Sequence, residues 1–95
     1  GLSLVEMTPA LRDQFKLRSD LQGVVITGVA AGSSAEEKGI QPGEVVVEVA
    51  QEQVSKPSDI QARLDQLRKD GRKLAQFLIA NPAGELRFVS LALEQ

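Results

Sequence analysis

Apolar and polar positions change period several times along the chain, and each change marks a predicted element. Leu2-Ser3-Leu4-Val5-Glu6-Met7 alternates loosely and predicts a first strand. Thr8-Pro9 follows it, with Thr8 suited to cap a helix and Pro9 to occupy the first helical position, so a short helix is expected over about residues 9–15. Gly23 to Val29 is rich in β-branched residues and contains Gly23 and Gly28, which predicts a buried second strand with a bend near its end. Ser34-Ala35-Glu36-Glu37 has the spacing of a capping box, and Gly39 suits the left-handed residue that closes a helix of one or two turns. Pro42-Gly43 marks a turn into a third strand, Glu44 to Val49. Regular alternation there would place Val45, Val47 and Val49 on one face and Val46 and Glu48 on the other, with Gln53-Val54 as a small partner strand.

The longest helical pattern begins at Pro57 and runs to about Lys69. Within it Ile60, Leu64 and Leu67 recur at spacings of four and three, on one face. Asp59 in the first turn and Arg68 and Lys69 in the last suit the two ends of the helix dipole, and Gly71 ends the segment. Leu74 to Ala80 and Leu86 to Leu93 then read as two strands joined by the turn Asn81-Pro82-Ala83-Gly84, a terminal β-hairpin. No repeat or linker interrupts this order, and 95 residues is the size of one domain. Residues 1–95 are therefore expected to share one core of the α+β class: a curled antiparallel sheet of five or six strands covered by two to three helices.

Composition removes several functions. With 42% hydrophobic and 25% charged residues the chain resembles folded domains and not disordered ones. A net charge of -2, without a basic stripe and without Trp or Tyr, argues against nucleic acid as a partner. Apolar runs such as Val45-Val46-Val47 are far shorter than the roughly 20 residues that span a bilayer, so no membrane span is expected. The first residues lack the pattern of a signal peptide, and Gly1 is expected to lie inside a longer protein.

Cysteine is absent, which excludes disulfides, thiolate zinc sites and a cysteine nucleophile. Histidine is absent too, and with it go the usual general base, the Ser-His-Asp triad and the commonest metal ligand. A serine activated by lysine is the remaining route to covalent catalysis, and no motif presents either group in that role. No catalytic residue, metal or cofactor is therefore expected. Gly28 to Ser34 lacks the lysine and the spacing of a phosphate-binding loop and reads as a turn before a capped helix. Glu36-Glu37 and the run from Arg68 to Lys73 read as solvated faces.

Physics alone leaves a small mixed domain that many functions use. The segment Gly39-Ile40-Gln41-Pro42-Gly43-Glu44-Val45-Val46, behind the Ala35-Glu36-Glu37-Lys38 turn, resembles the part of a PDZ domain in which a short helix ends at glycine and a Pro-Gly turn enters a strand. Gly1-Leu2-Ser3-Leu4 resembles the PDZ carboxylate-binding loop, and its place at the start, with a hairpin at the end, looks like the circularly permuted bacterial arrangement. Thr8-Pro9-Ala10-Leu11-Arg12 and the Arg68 to Lys73 run resemble the C-terminal PDZ domain of HtrA/Do-type periplasmic serine proteases. Three positions depart from the family pattern. Ser3 stands where many such loops have glycine, Glu44 replaces the commoner aspartate, and Ala50-Gln51-Glu52 replaces an Asn-Gly type of turn.

The resemblance implies a partly open barrel, peptide binding and a periplasmic setting. A C-terminal or unfolded peptide would add to the edge of the first strand, its carboxylate held by the backbone amides of Leu2, Ser3 and Leu4. The expected peptide-binding residues are Gly1, Leu2, Ser3, Leu4 and Val5 on the strand side, with Ile60, Leu64 and Leu67 on the long helix. Its walls would be aliphatic, so an apolar ligand terminus is expected. Other domains or subunits of the parent protease are the alternative partners, in a structural role that sets assembly and leaves the groove unused. Because the chain lacks histidine and cysteine, pure 95-residue protein is expected to leave unfolded casein intact, and turnover in that assay would contradict the non-catalytic reading.

Overall fold

The computed structural model describes residues 2–93. Strand β1 (Leu2–Glu6) leads into helix α1 (Pro9–Phe15), β2 (Val24–Val29), the short helix α2 (Ser34–Glu37), β3 (Val45–Val49), β4 (Glu52–Gln53), helix α3 (Pro57–Lys69) and the terminal pair β5 (Leu74–Ala80) and β6 (Leu86–Ala92). All pairings are antiparallel, in one sheet of order β1-β2-β3-β5-β6, with β4 attached to β3. The described residues thus form the α+β domain that the periodicity implied, at the upper end of both the strand and the helix count.

The helices start and stop where local chemistry favours it. Thr8 accepts from the Leu11 amide through its hydroxyl at 3.2 Å, with Pro9 in the first turn behind it. Helix α2 is capped one residue earlier than the sequence suggested. Ser33 is the cap, its hydroxyl accepting from the Glu36 amide at 3.2 Å, while the Glu36 carboxylate reaches back to the Gly32 amide at 3.1 Å. Ser33 and Glu36 have the same Ser-x-x-Glu spacing as Ser34 and Glu37, and the periodicity could not separate the two registers. At the start of α3 the Asp59 carboxylate accepts from the amides of Ser55 and Lys56 at 3.0 and 3.1 Å. The Ser55 bond is the main cause of an Asp59 pKa below the ordinary aspartate value.

Strand β3 departs from the expected alternation. Its pairing with β5 slips between Val46 and Glu48, so Val47 is an extra residue in a β-bulge. Val46 and Val49 therefore face the main core, with Ile26, Ile60, Phe77 and Ile79. Val45 and Val47 instead join a smaller cluster with Val25, Leu17 and Leu21, packed by Phe15 and Leu11 of α1. Both faces of the strand are covered, and each fully buried valine contributes roughly 1.5–3 kcal/mol. Gly23 makes this crossing possible: a Cβ there would lie 2.2 Å from the Val46 carbonyl oxygen, and its φ is +143°.

One buried carboxylate fastens the far edge of the sheet. Glu44, just after the Pro-Gly turn, is 5% exposed and accepts from the Gln41 amide at 2.8 Å and from the Arg87 guanidinium at 2.9 Å. Arg87 also donates to the Gly39 carbonyl at 3.1 Å, so β6 is tied to both ends of that turn. The Glu44 bond holds the Arg87 pKa above its ordinary value. Glutamate in place of the commoner aspartate thus gains the reach to an arginine 43 residues away in sequence.

The turn between β3 and β4 is strained. Ala50 and Gln51 both have positive φ, 49° and 71°, in a position where Asn-Gly is the usual solution. Arg63 of α3 donates to the Ala50 carbonyl at 3.0 Å and helps to hold it. Relief of this strain predicts that Gln51→Gly stabilises the fold by about 0.5 kcal/mol, a few degrees in the thermal midpoint, whereas Gln51→Val lowers the midpoint. Parallel melts of the two variants check it, and equal midpoints would contradict the turn geometry.

Candidate functional site

Strand β1 is the outermost strand of the sheet, paired on one side only, so the backbone groups of its other side are open to an added strand. Its side chains alternate. Leu2 and Leu4 are half-buried and pack against the main core, whereas Ser3, Val5 and Glu6 are exposed. The inward pair faces α3 across a cavity of about 520 Å³, walled by Leu2 and Leu4 on one side and by Pro57, Ile60, Gln61, Leu64 and Arg68 on the other. Ala75, Phe77 and Leu91 of the hairpin also line it, and Gly32 to Ala35 with Ala92 and Leu93 complete the wall.

The helical wall follows from phase. Residues 57, 61, 64 and 68 recur at spacings of four, three and four and form one stripe, with Ile60 beside it. Ile60 is 2% exposed and belongs to the main core, yet it also lines the cavity, and half-buried Leu64 does the same. These two side chains set the groove's width by the same contacts that hold α3 to the sheet. Leu67 is turned further round the helix into the core and does not line the cavity.

At the start of β1 the register slips between Ser3 and Leu4, and the Thr27 hydroxyl donates to the Ser3 carbonyl at 3.3 Å. Ser3 packs over Gly28, where a Cβ would come within 3.3 Å of the Ser3 hydroxyl oxygen. Ser3 is not among the residues with positive φ. The serine therefore replaces the family's glycine without backbone strain, because Gly28 on β2 leaves the room.

The structure thus joins Leu2, Leu4, Ile60 and Leu64 around one cavity. Ser3 and Val5 lie on the outer face of β1, Leu67 lies in the core, and Gly1 lies outside the described residues. Two features of the groove were missed by the sequence reading. Gly32 to Ser34 form one rim of the cavity, although their sequence reads as a simple turn and cap. Among the described residues Arg68 is the one charged side chain that lines the cavity, its side chain 33% exposed and its guanidinium 3.1 Å from the Asp65 carboxylate. Extending the 57-61-64 stripe by four residues would have found it. Among the described residues no group of three or more His, Cys, Asp or Glu is placed to hold a metal ion, and no helix is long and apolar enough to cross a membrane.

This geometry, an edge strand facing a helix across an apolar groove, is accompanied by a match of the PDZ domain family over residues 25–74, more than half of the chain. The chain belongs to the PDZ domain family. Among curated relatives, a probable periplasmic DegP-like serine endoprotease of Bartonella henselae is 41% identical over 71 residues, 75% of this chain and 14% of that protein. One of the same description from Chlamydia muridarum is 27% identical over all 95 residues and 18% of its own length. The mitochondrial serine protease HTRA2 of Drosophila persimilis is 30% identical over 76 residues, 74% of this chain and 18% of that protein. The chain therefore spans less than a fifth of these relatives, and corresponds to a PDZ domain and not to a protease domain. A crystal structure of the HtrA3 PDZ domain bound to a phage-derived ligand, FGRWV, shares the fold, with a TM-score of 0.76 at 21% identity over 99% of this chain and 82% of that one.

Phase on α3 is directly testable. A lysine at position 64 must be desolvated beside the core or displace the helix, whereas position 61 is exposed. Leu64→Lys is expected to cost about 1–3 kcal/mol and Gln61→Lys less than about 0.5 kcal/mol, and equal thermal midpoints would overturn the assignment of the two faces.

Proposed function

We propose that this domain captures hydrophobic C-termini or unfolded segments as a peptide-binding module and presents them to an attached HtrA/Do-type serine protease. The observation that carries the proposal is the open edge of β1 beside an apolar groove, the arrangement in which an added strand gains main-chain hydrogen bonds and a side-chain pocket together. Leu2 and Leu4 with Ile60 and Leu64 form the pocket for the last ligand side chain, which favours an aliphatic or aromatic terminus. Amides at the start of β1 that face away from β2 receive the carboxylate. The relatives' names support a protease as the parent and the bacterial periplasm as its compartment. The peptide held by the HtrA3 PDZ domain supports the mode of recognition.

A second reading has its own observation. Leu74, Leu86 and Phe88 are 58–64% exposed on the outer face of the β5–β6 hairpin, away from the groove, and an apolar face of that kind suits contact with another domain of the parent protein. Under this reading the domain sets assembly and the groove is idle.

A peptide ending in a free carboxylate after an aliphatic residue is expected to bind, and its C-terminal amide to bind more weakly. Amidation replaces one acceptor by a donor and removes the charge, and the loss of two charge-assisted bonds costs about 3 kcal/mol, over a hundredfold in affinity. Titration of isotope-labelled protein reads it out. Shifts over residues 2–7 and 57–68 support the groove, equal affinities for acid and amide overturn carboxylate capture, and shifts confined to the β5–β6 face favour the assembly role.

A further inference from the structure

We propose that β6 is a second strand-addition edge, on which two copies of this chain pair antiparallel about a two-fold axis through Phe88. The inference is independent of peptide capture in the groove, and it narrows the assembly role to one occupant and one geometry. β6 ends the sheet opposite β1 and pairs with β5 alone. The phase of that pairing is fixed at both ends of the hairpin. Asn81 donates to the Glu85 carbonyl at 3.0 Å and Leu93 to the Lys73 carbonyl at 2.9 Å, so Arg87, Val89 and Leu91 are the residues of β6 that exchange bonds with β5. The amides and carbonyls of Leu86, Phe88, Ser90 and Ala92 therefore point away from β5.

The side chains of those same four residues share the outer face of the sheet, and all are exposed, Phe88 at 64% and Leu86 at 58%. Sheet edges in native proteins are guarded by proline, a bulge or charged side chains. From Leu86 to Ala92 there is no proline, the pairing with β5 runs without a register shift, and the outer face carries no charge. Arg87, the strand's one charged residue, lies on the other face, where its guanidinium is bonded to the buried Glu44 carboxylate and to the Gly39 carbonyl.

A second copy is the occupant this edge fits. With the axis through Phe88, residues 86, 88 and 90 face residues 90, 88 and 86, so outward-pointing backbone groups meet their own kind in a hydrogen-bonding register. The two Phe88 rings oppose each other, each Leu86 lies against Ser90 of the second copy, and no like charges meet on that face. Ala92, which lines the groove, stays outside the pair. A strand pair this short buries less than the roughly 800 Å² per partner of a standard interface, so the dimer is weak, with a dissociation constant on the order of 0.1–1 mM.

The test is a concentration series of the 95-residue chain by sedimentation and by amide spectra, from about 20 μM to about 1 mM so as to span that constant. The mean mass is expected to rise from one chain towards two, with shifts centred on residues 86–90 and slower exchange of the Leu86, Phe88 and Ser90 amides at the high end. Phe88→Lys opposes two like charges at the axis, and Ser90→Pro removes an outward amide without touching a bond to β5. Each is expected to weaken association about tenfold or more while moving the thermal midpoint by no more than a few degrees. Where Ser90→Pro does not fold, exchange of the outward amides in the unsubstituted chain decides the same point. A mass that stays at one chain overturns the proposal and leaves the groove reading standing. Association lost in Phe88→Lys but kept in a folded Ser90→Pro, or outward amides that exchange as fast at about 1 mM as when dilute, means contact through the apolar face and overturns edge pairing. Shifts that extend to residues 2–7 place β6 of one copy on β1 of the next, a head-to-tail chain, and overturn the two-fold pair.

Discussion

Strand β3 is covered on both faces, and the bulge at Val47 is what allows it. Under regular alternation through Val47, Val49 would fall on the same face as Val45, and the main core would lose one of the two valines that β3 gives it. With it, a five-residue strand serves two apolar clusters: the large one beneath α3 and the small one beneath α1. β2 and β5 are hydrogen-bonded to its two sides, and β4 extends from it through a turn that accepts two left-handed residues. The approach of Gly23 to the Val46 carbonyl belongs to the same constraint, since the chain entering β2 has no room for a side chain there.

The groove is a consequence of how that larger cluster ends. Ile60 and Leu64 rest on the core and at the same time form the wall of a cavity, and Leu2 and Leu4 do so from the sheet edge. The core is therefore not closed off beneath the site but opens into it. A groove built from core residues is held rigid without further support, because the side chains that shape it are fixed by packing. The same economy makes the cavity sensitive to substitution: a change at Ile60 or Leu64 alters the fold and the pocket together.

Much of this was legible in the chain itself. The Thr8-Pro9 signal, the four-and-three spacing of Ile60, Leu64 and Leu67, and the Asn81 to Gly84 turn located α1, α3 and the hairpin, because each depends on neighbours within a few residues. The absence of histidine and cysteine removed the common catalytic and metal chemistries before any fold was known. The cap of α2 was one residue off, since two overlapping Ser-x-x-Glu pairs satisfy the local rule equally. Alternation in β3 failed at Val47, since a bulge is decided by the partner strand and leaves no mark in a run of valines.

What the sequence determined alone is what local geometry and residue chemistry determine: the element order, the class of the domain, the apolar stripe of α3 and the lack of a catalytic triad. What the tertiary structure decided is which members of that stripe line the cavity. Ile60, Leu64 and Leu67 are equivalent by periodicity, but the position of α3 over the sheet turns Leu67 inward and leaves Leu64 at the cavity. Arg68, Gln61 and the Gly32 to Ser34 rim come together across as many as 36 positions of sequence, and no local signal encodes a meeting of that range. The reason is physical: helical period fixes a side chain's direction about its own axis, whereas its neighbours are fixed by the packing of one element against another.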